Sequence, residues 1–210
     1  MAHGQDKPQD DKKVQEEEVG AAEDLMREHG VLNRILLIYE EGLRRLRSKE
    51  DVPPEVFHKP AQLVRKFVED YHEKLEENFI FPEFERQTKL VDLVKVLREH
   101  HQTGRKVTDV VLRVAIPDQF SKADNQQEMV RAIRSFIRMY RPHEAREDTV
   151  LFPAFRKIVS PHEFDALGED FEKKEDELFG EDGFEKVVDK VAGIEKRLGI
   201  YDLAQFTPKT

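Results

Sequence analysis

Cysteine is absent from the 210 residues, which excludes disulfides, thiolate metal sites and cysteine nucleophiles. Long apolar runs are missing too: none approaches the roughly 20 residues needed to span a bilayer, so no membrane insertion is expected. Excess positive charge is also lacking. A formal net charge of -9 argues against nucleic acid, whose phosphates demand basic patches. Residues 1–20 are charged and poor in apolar side chains, with no hydrophobic h-region. They read as a disordered polar tail without a visible signal peptide. The expected location is the cytoplasm by default, with export after removal of a signal as the alternative.

What is present is charge and helical periodicity. Charged residues make up 38% of the chain, and apolar residues recur with a period near 3.6. Leu25, Leu32, Ile35, Leu36, Tyr39, Leu43 and Leu46 place a first helix over residues 21–47. Asp51-Val52-Pro53-Pro54 breaks it. Further helices are expected over about 60–86, 90–116 and 125–158, separated by Pro117-Asp118 and followed by Ser160-Pro161. Two more amphipathic stretches, marked by Phe164, Leu167, Phe171 and Leu178 and then by Phe184, Val187, Val188, Val191, Ile194 and Leu198, follow across Gly180 to Gly183. The expected class is all-α. Residues 21–158 form a four-helix unit, and residues 159–210 form a helical extension packed on it or offered to a protein partner or second copy.

A repeat gives this outline a chemistry. His29 and His100, His72 and His143, and Glu76 and Glu147 are each 71 residues apart. The flanking text repeats with them: Arg27-Glu28-His29 against Arg98-Glu99-His100, and Phe81-Pro82 against Phe152-Pro153. His29 lies about 18 residues before the first turn and His72 about 17 after it, so at about 1.5 Å per residue both stand roughly 25 Å from that turn. Antiparallel packing then puts them in one layer, and the second pair gives nearly the same count. Residues four apart share a helix face, so Glu76 accompanies His72 and Glu147 accompanies His143. Glutamate is common here, and such pairs prove little singly. The common offset is what points to a two-metal site of His29, His72, Glu76, His100, His143 and Glu147. Imidazole-rich ligation favours iron, copper or zinc over magnesium or calcium.

The remaining polar residues fit around this set. His101 competes with His100, but adjacent helical residues point about 100° apart, and the repeat register selects His100. Glu73 and Glu144 are also paired in the repeat; solvent exposure is expected for both, with an auxiliary ligand role as the alternative. His3, His58 and His162 are expected at the surface. Pro82 and Pro153 should bend or stop their helices. Pro142 departs from the repeat, where Tyr71 holds the matching position. Phe67, Tyr71, Phe136, Met139 and Tyr140 fill the core near the site; Tyr71 or Tyr140 could offer a hydrogen bond to a bound oxygen species.

These residues resemble the bacterial hemerythrin-like, or HHE cation-binding, family. The likeness rests on His29, on His72-Glu73-Lys74-Leu75-Glu76 before Phe81-Pro82, on Glu99-His100, and on His143 to Glu147 before Leu151-Phe152-Pro153. It implies an up-down-up-down four-helix bundle around two non-haem iron ions joined by an oxo or hydroxo bridge. The four histidines would be terminal ligands, with Glu76 and Glu147 bridging. Oxygen-carrying hemerythrin has a further histidine four residues after the third-helix ligand, where Gly104 stands here. It also ends on His with Asp at +5, a position that Asp148 holds in this chain, with Glu147 at +4. A ferritin-like pattern, Glu-x-x-His on two helices, fits only once: Glu69 precedes His72, but Tyr140 stands in the second position.

The function this implies is binding of dioxygen or a related small ligand for storage, sensing or delivery. With a fifth histidine missing, a di-iron enzyme acting on peroxide, nitric oxide or ferrous iron is the alternative. A helical interaction module is a third reading.

Overall fold

The computed structural model describes residues 20–208, so the polar tail read from residues 1–20 lies outside it except for Gly20. Helix α1, Ala21–Arg47, has the bounds that its periodicity predicts. Glu23 and Asp24 in its first turn and Arg44, Arg45 and Arg47 in its last oppose the helix dipole favourably. Helix α2 covers residues 55–86 and starts earlier than expected, because Pro53-Pro54 initiates it and Pro60 is accommodated inside. Helix α3, Val91–Val114, and helix α4, residues 123–155, complete the bundle, with a single turn Pro117–Phe120 between them. Helices α5, Pro161–Phe179, and α6, Gly183–Leu198, follow. The described residues contain no strand.

Pro82 and Pro153 do not end their helices. The chain instead widens into π turns just upstream, at Glu76–Ile80 and Glu147–Leu151, with a further π stretch at Val64–His72. A proline has no N–H to offer the carbonyl four residues back. Phe81 and Phe152, each directly before its proline, reach five residues back to the carbonyls of Glu76 and Glu147. Wide turns of this kind commonly mark functional positions. Here they open at the two glutamates that the repeat singled out.

Helix α1 packs on α2 and α4, and α3 packs on the same two, which closes a four-helix ring. Short connections make neighbours antiparallel. Helices α5 and α6 lie against α1, which is therefore buried on most of its circumference. Ser160 and Glu163 form a reciprocal cap at the start of α5, with Pro161 in its first turn. Arg34 of α1 clamps Glu195 of α6 through two bonds of 3.0 and 2.6 Å. The aromatic core runs the length of the bundle, and Phe67, Phe81, Phe84, Phe136, Phe152 and Phe155 are among its fully buried rings.

Candidate metal centre

Two overlapping groups of ligand atoms lie inside the bundle. Glu76, His101, His143 and Glu147 form one, and His29, His72 and Glu76 form the other, all of them buried. In each group the potential ligand atoms fall within 4.8 Å of one another. Glu76 belongs to both, and Glu147 Oε2 also lies 3.4 Å from His29 Nε2. The Nε2 atoms of His72 and His101 stand 3.6 and 3.4 Å from Glu76 Oε2, and that of His143 stands 3.0 Å from Glu147 Oε2. Two donors that share a first-row metal at about 2.1 Å, at angles between a right angle and the tetrahedral one, lie about 3.0–3.4 Å apart. The observed spacings sit close to that range.

Five buried atoms here have no hydrogen-bond partner: both carboxylate oxygens of Glu76, both of Glu147, and His101 Nε2. Leaving such atoms unsatisfied in a dry core costs several kcal/mol. Cations placed among them would satisfy all five. The donor set is imidazole and carboxylate, which suits iron, zinc or copper.

Each imidazole is aimed from behind. His29 Nδ1 donates to Asp148 at 2.7 Å, His72 Nδ1 to Glu28 at 2.6 Å, and His101 Nδ1 to Glu77 at 3.1 Å. These bonds fix the tautomer that leaves Nε2 free toward the centre. The fourth histidine, His143, has its Nδ1 3.3 Å from Nδ1 of His100. With His143 protonated there, His100 is its acceptor.

The structure thus brings His101, and not the expected His100, to the cluster. His101 is completely buried and joins the cluster, whereas His100 is only half-buried and belongs to neither group. The core stripe of α3 runs Val94, Leu97, His101, Gly104, Thr108 and Val111. Those steps alternate between three and four residues, and His100 lies outside them. The repeat is thus offset by 72 residues in α1 and α3, where His29 matches His101, and by 71 in α2 and α4. His100 takes the place that Glu28 holds in the first hairpin.

Glu73 and Glu144 are not exposed as expected; they are only 1% and 2% accessible. Glu73 accepts the Tyr140 hydroxyl at 2.6 Å and pairs with Arg105 at 2.7 Å, while Asn33 donates to Glu144. Tyr140's proton is thereby committed to Glu73, and Tyr71 is buried against Phe67 and Phe179. Counted from His101, the position of the further histidine of oxygen carriers is Arg105, which also pairs with Glu77 at 2.7 Å. His162 is exposed and His58 half-buried; His3 lies outside the described residues. Glu69, the one ferritin-like match, turns to Arg65 at 3.1 Å and to Thr108. The outer partners Glu28, Glu77 and Asp148 escaped sequence reasoning. Yet Glu77 and Asp148 are themselves 71 residues apart, the signal that would have found them.

A hemerythrin HHE cation-binding domain model matches residues 20–155. The chain belongs to that family. Its members' name describes cation binding, and the buried His and Glu groups lie inside the matched span. Uncharacterized proteins of Mycobacterium bovis and Mycobacterium tuberculosis are 52% identical over 194 residues, covering 92% of this chain and 76% of theirs. No solved structure matches the chain. No helix among the described residues is long and apolar enough to cross a membrane.

The electrostatics of this HHE centre are those of a site that needs positive charge. Burial and the charge of Glu147 push Glu76 well up. Glu147 is held well below the usual range: burial opposes this, but His143 and His29 outweigh it. Burial would lower His29, but its bond to Asp148 and the Glu147 carboxylate beside it win and raise it to about 10. Without metal, a cationic His29 supplies part of that charge.

Glu73 offers a test. Burial pushes its carboxyl from 4.5 up to about 8, against the Tyr140 bond and the Arg105 charge. A group that holds its proton longer when folded stabilises the fold at acid pH and loses that contribution as pH rises through its folded value. The window is therefore about 4.5 to 8, with a slope of at most about 1.4 kcal/mol per pH unit. In metal-free protein, the urea midpoint of wild type should fall between about pH 6 and pH 8 more steeply than that of Glu73→Gln. Parallel profiles would remove Glu73 as the source.

Proposed function

We propose that residues 21–158 hold two non-haem iron ions and bind dioxygen or a related small ligand for storage, sensing or delivery. His29 and His72 would hold one ion and His101 and His143 the other, with Glu76 and Glu147 between them. The observation that carries this reading is the pair of overlapping buried donor groups that share Glu76, with both glutamates unsatisfied. Family membership adds cation binding, and the choice of iron follows the likeness to hemerythrin. A bound iron pair would supply a redox-active site for the small ligand. The protein contributes the rest. Asp148, Glu28, Glu77 and His100 orient the imidazoles, and Phe81, Phe152 and Tyr140 keep the surroundings dry.

A specific observation supports an enzymatic second reading. Burial raises both Glu73 and Glu144 to about 8, so two carboxyls beside the centre carry protons near neutrality. Reduction of peroxide or nitric oxide consumes protons, and these groups could deliver them.

Purified protein should contain about two irons per chain, one for each donor group, and show the absorption of a coupled ferric pair. Chelation should lower its thermal midpoint, since a metal bound only by the folded state stabilises it. Protein that is fully stable with no metal, or with a single zinc, would defeat the proposal. Rapid mixing of the reduced protein with dioxygen, peroxide and nitric oxide separates the two readings. A reversible adduct favours carriage or sensing, and turnover without one favours catalysis.

A further inference from the structure

Outside the centre, three carboxylates from two layers of the fold converge. Asp24 and Glu28 of α1 and Glu175 of α5 place one oxygen each within 4.8 Å of the others. Two oxygens bound to a hard divalent cation at about 2.0–2.6 Å lie at most about 4–5 Å apart, so the group fits such an ion.

Acidic clusters are common, and this one is distinguished by Glu28. It is 2% accessible, and its carboxylate is divided: Oε2 accepts from His72 Nδ1 at 2.6 Å, while Oε1 is buried with no hydrogen-bond partner. The Tyr71 hydroxyl, buried on the facing helix α2, is a neighbour of Glu28 there but does not reach hydrogen-bond geometry with it. Glu175 is fixed in direction by the backbone N–H of Phe184, which donates to its Oε1 at 2.5 Å. Arg27 pairs with Asp24 at 3.3 Å and leans toward Glu185 at 3.8 Å, and it makes no ion pair with Glu28 or Glu175.

We propose that Asp24, Glu28 and Glu175 form a third cation site, all-oxygen and selective for a hard divalent ion, at the seam between the bundle and its extension. The ligand chemistry differs from that of the central groups, which mix imidazole with carboxylate. The site does not depend on which metal the centre holds. It gives the extension a role, because Glu175 is the one ligand that α5 supplies. Glu28 serves both places, one oxygen on the third site and the other behind His72.

Manganese(II) is the probe, added to purified full-length protein that carries its central metals, with free ion followed by electron paramagnetic resonance. Wild type should take up one further manganese per chain. Asp24→Asn with Glu175→Gln preserves shape and removes two charges; it should weaken that uptake about tenfold or more while central metal content stays constant. Glu175→Gln alone, on the outer helix, should weaken it in the same direction and serves if the double variant folds poorly. Manganese should also raise the thermal midpoint of wild type and not that of the variant. No additional manganese in wild type, or equal uptake by wild type and Glu175→Gln, would overturn the site.

Discussion

His101→Ala should empty much of the metal centre, whereas His100→Ala should leave it largely filled. His101 is completely buried, with an unpartnered Nε2 3.4 Å from Glu76 Oε2 and its Nδ1 held by Glu77. Removing it deletes a donor, and it also strands a carboxylate in a dry core. His100 only supports His143 from behind, at 3.3 Å. Loss of such an outer partner typically costs about 10–100-fold in metal affinity, so the site still fills when metal is in excess. Metal analysis of both variants after saturation and gel filtration decides the matter. Equal loss from the two, or greater loss from His100→Ala, would return the assignment to the simple 71-residue register.

Gly104→Ala should be the most damaging single-methyl change in the bundle. A Cβ at Gly104 would lie 2.0 Å from the Tyr140 hydroxyl oxygen and 2.9 Å from its Cζ. Tyr140 cannot retreat: it is 1% accessible, its hydroxyl is bound to Glu73, and the tilted Phe136 ring packs against its own with centroids 4.3 Å apart. Overpacking of this kind costs about 1–3 kcal/mol, and displacing the buried hydrogen bond adds about 1–2. For a chain of this size that is a fall of roughly 5–15 °C in thermal midpoint. Tyr140→Phe removes the atom in conflict, so the Gly104→Ala, Tyr140→Phe pair should be less destabilised than the sum of its single changes. Additive losses would show that the hydroxyl is not the obstacle.

These two residues also show where sequence reading stopped. The helices were legible because leucine, glutamate and arginine recur at helical spacing, and the paired histidines and glutamates lay on faces that spacing defines. In α3 the residue that faces the cluster stands one position beyond the one that the repeat picks out. The letters around His29 and His100 repeat, but the buried stripe of Val94, Leu97, Gly104, Thr108 and Val111 selects His101. A one-residue slip turns a side chain by about 100°, and only packing records it. The π turns at Glu76 and Glu147 were equally hidden, since a hydrogen bond that reaches one residue further leaves no mark in composition. Phe-Pro marked their place but suggested an end to the helix. Glu73 and Glu144 were expected to be exposed, and Glu28, Glu77 and Asp148 were given no role, because burial of a carboxylate is decided by the partner across the bundle.

The slip has a last consequence for the two hairpins. In the first, His29 and His72 both lean on carboxylates, Asp148 and Glu28. In the second, His101 leans on Glu77 but His143 leans on another imidazole. A carboxylate behind a histidine makes it a stronger electron donor than a neutral ring does. The halves look like copies of one design, yet they have ceased to be interchangeable: one is the harder grip and the other the looser.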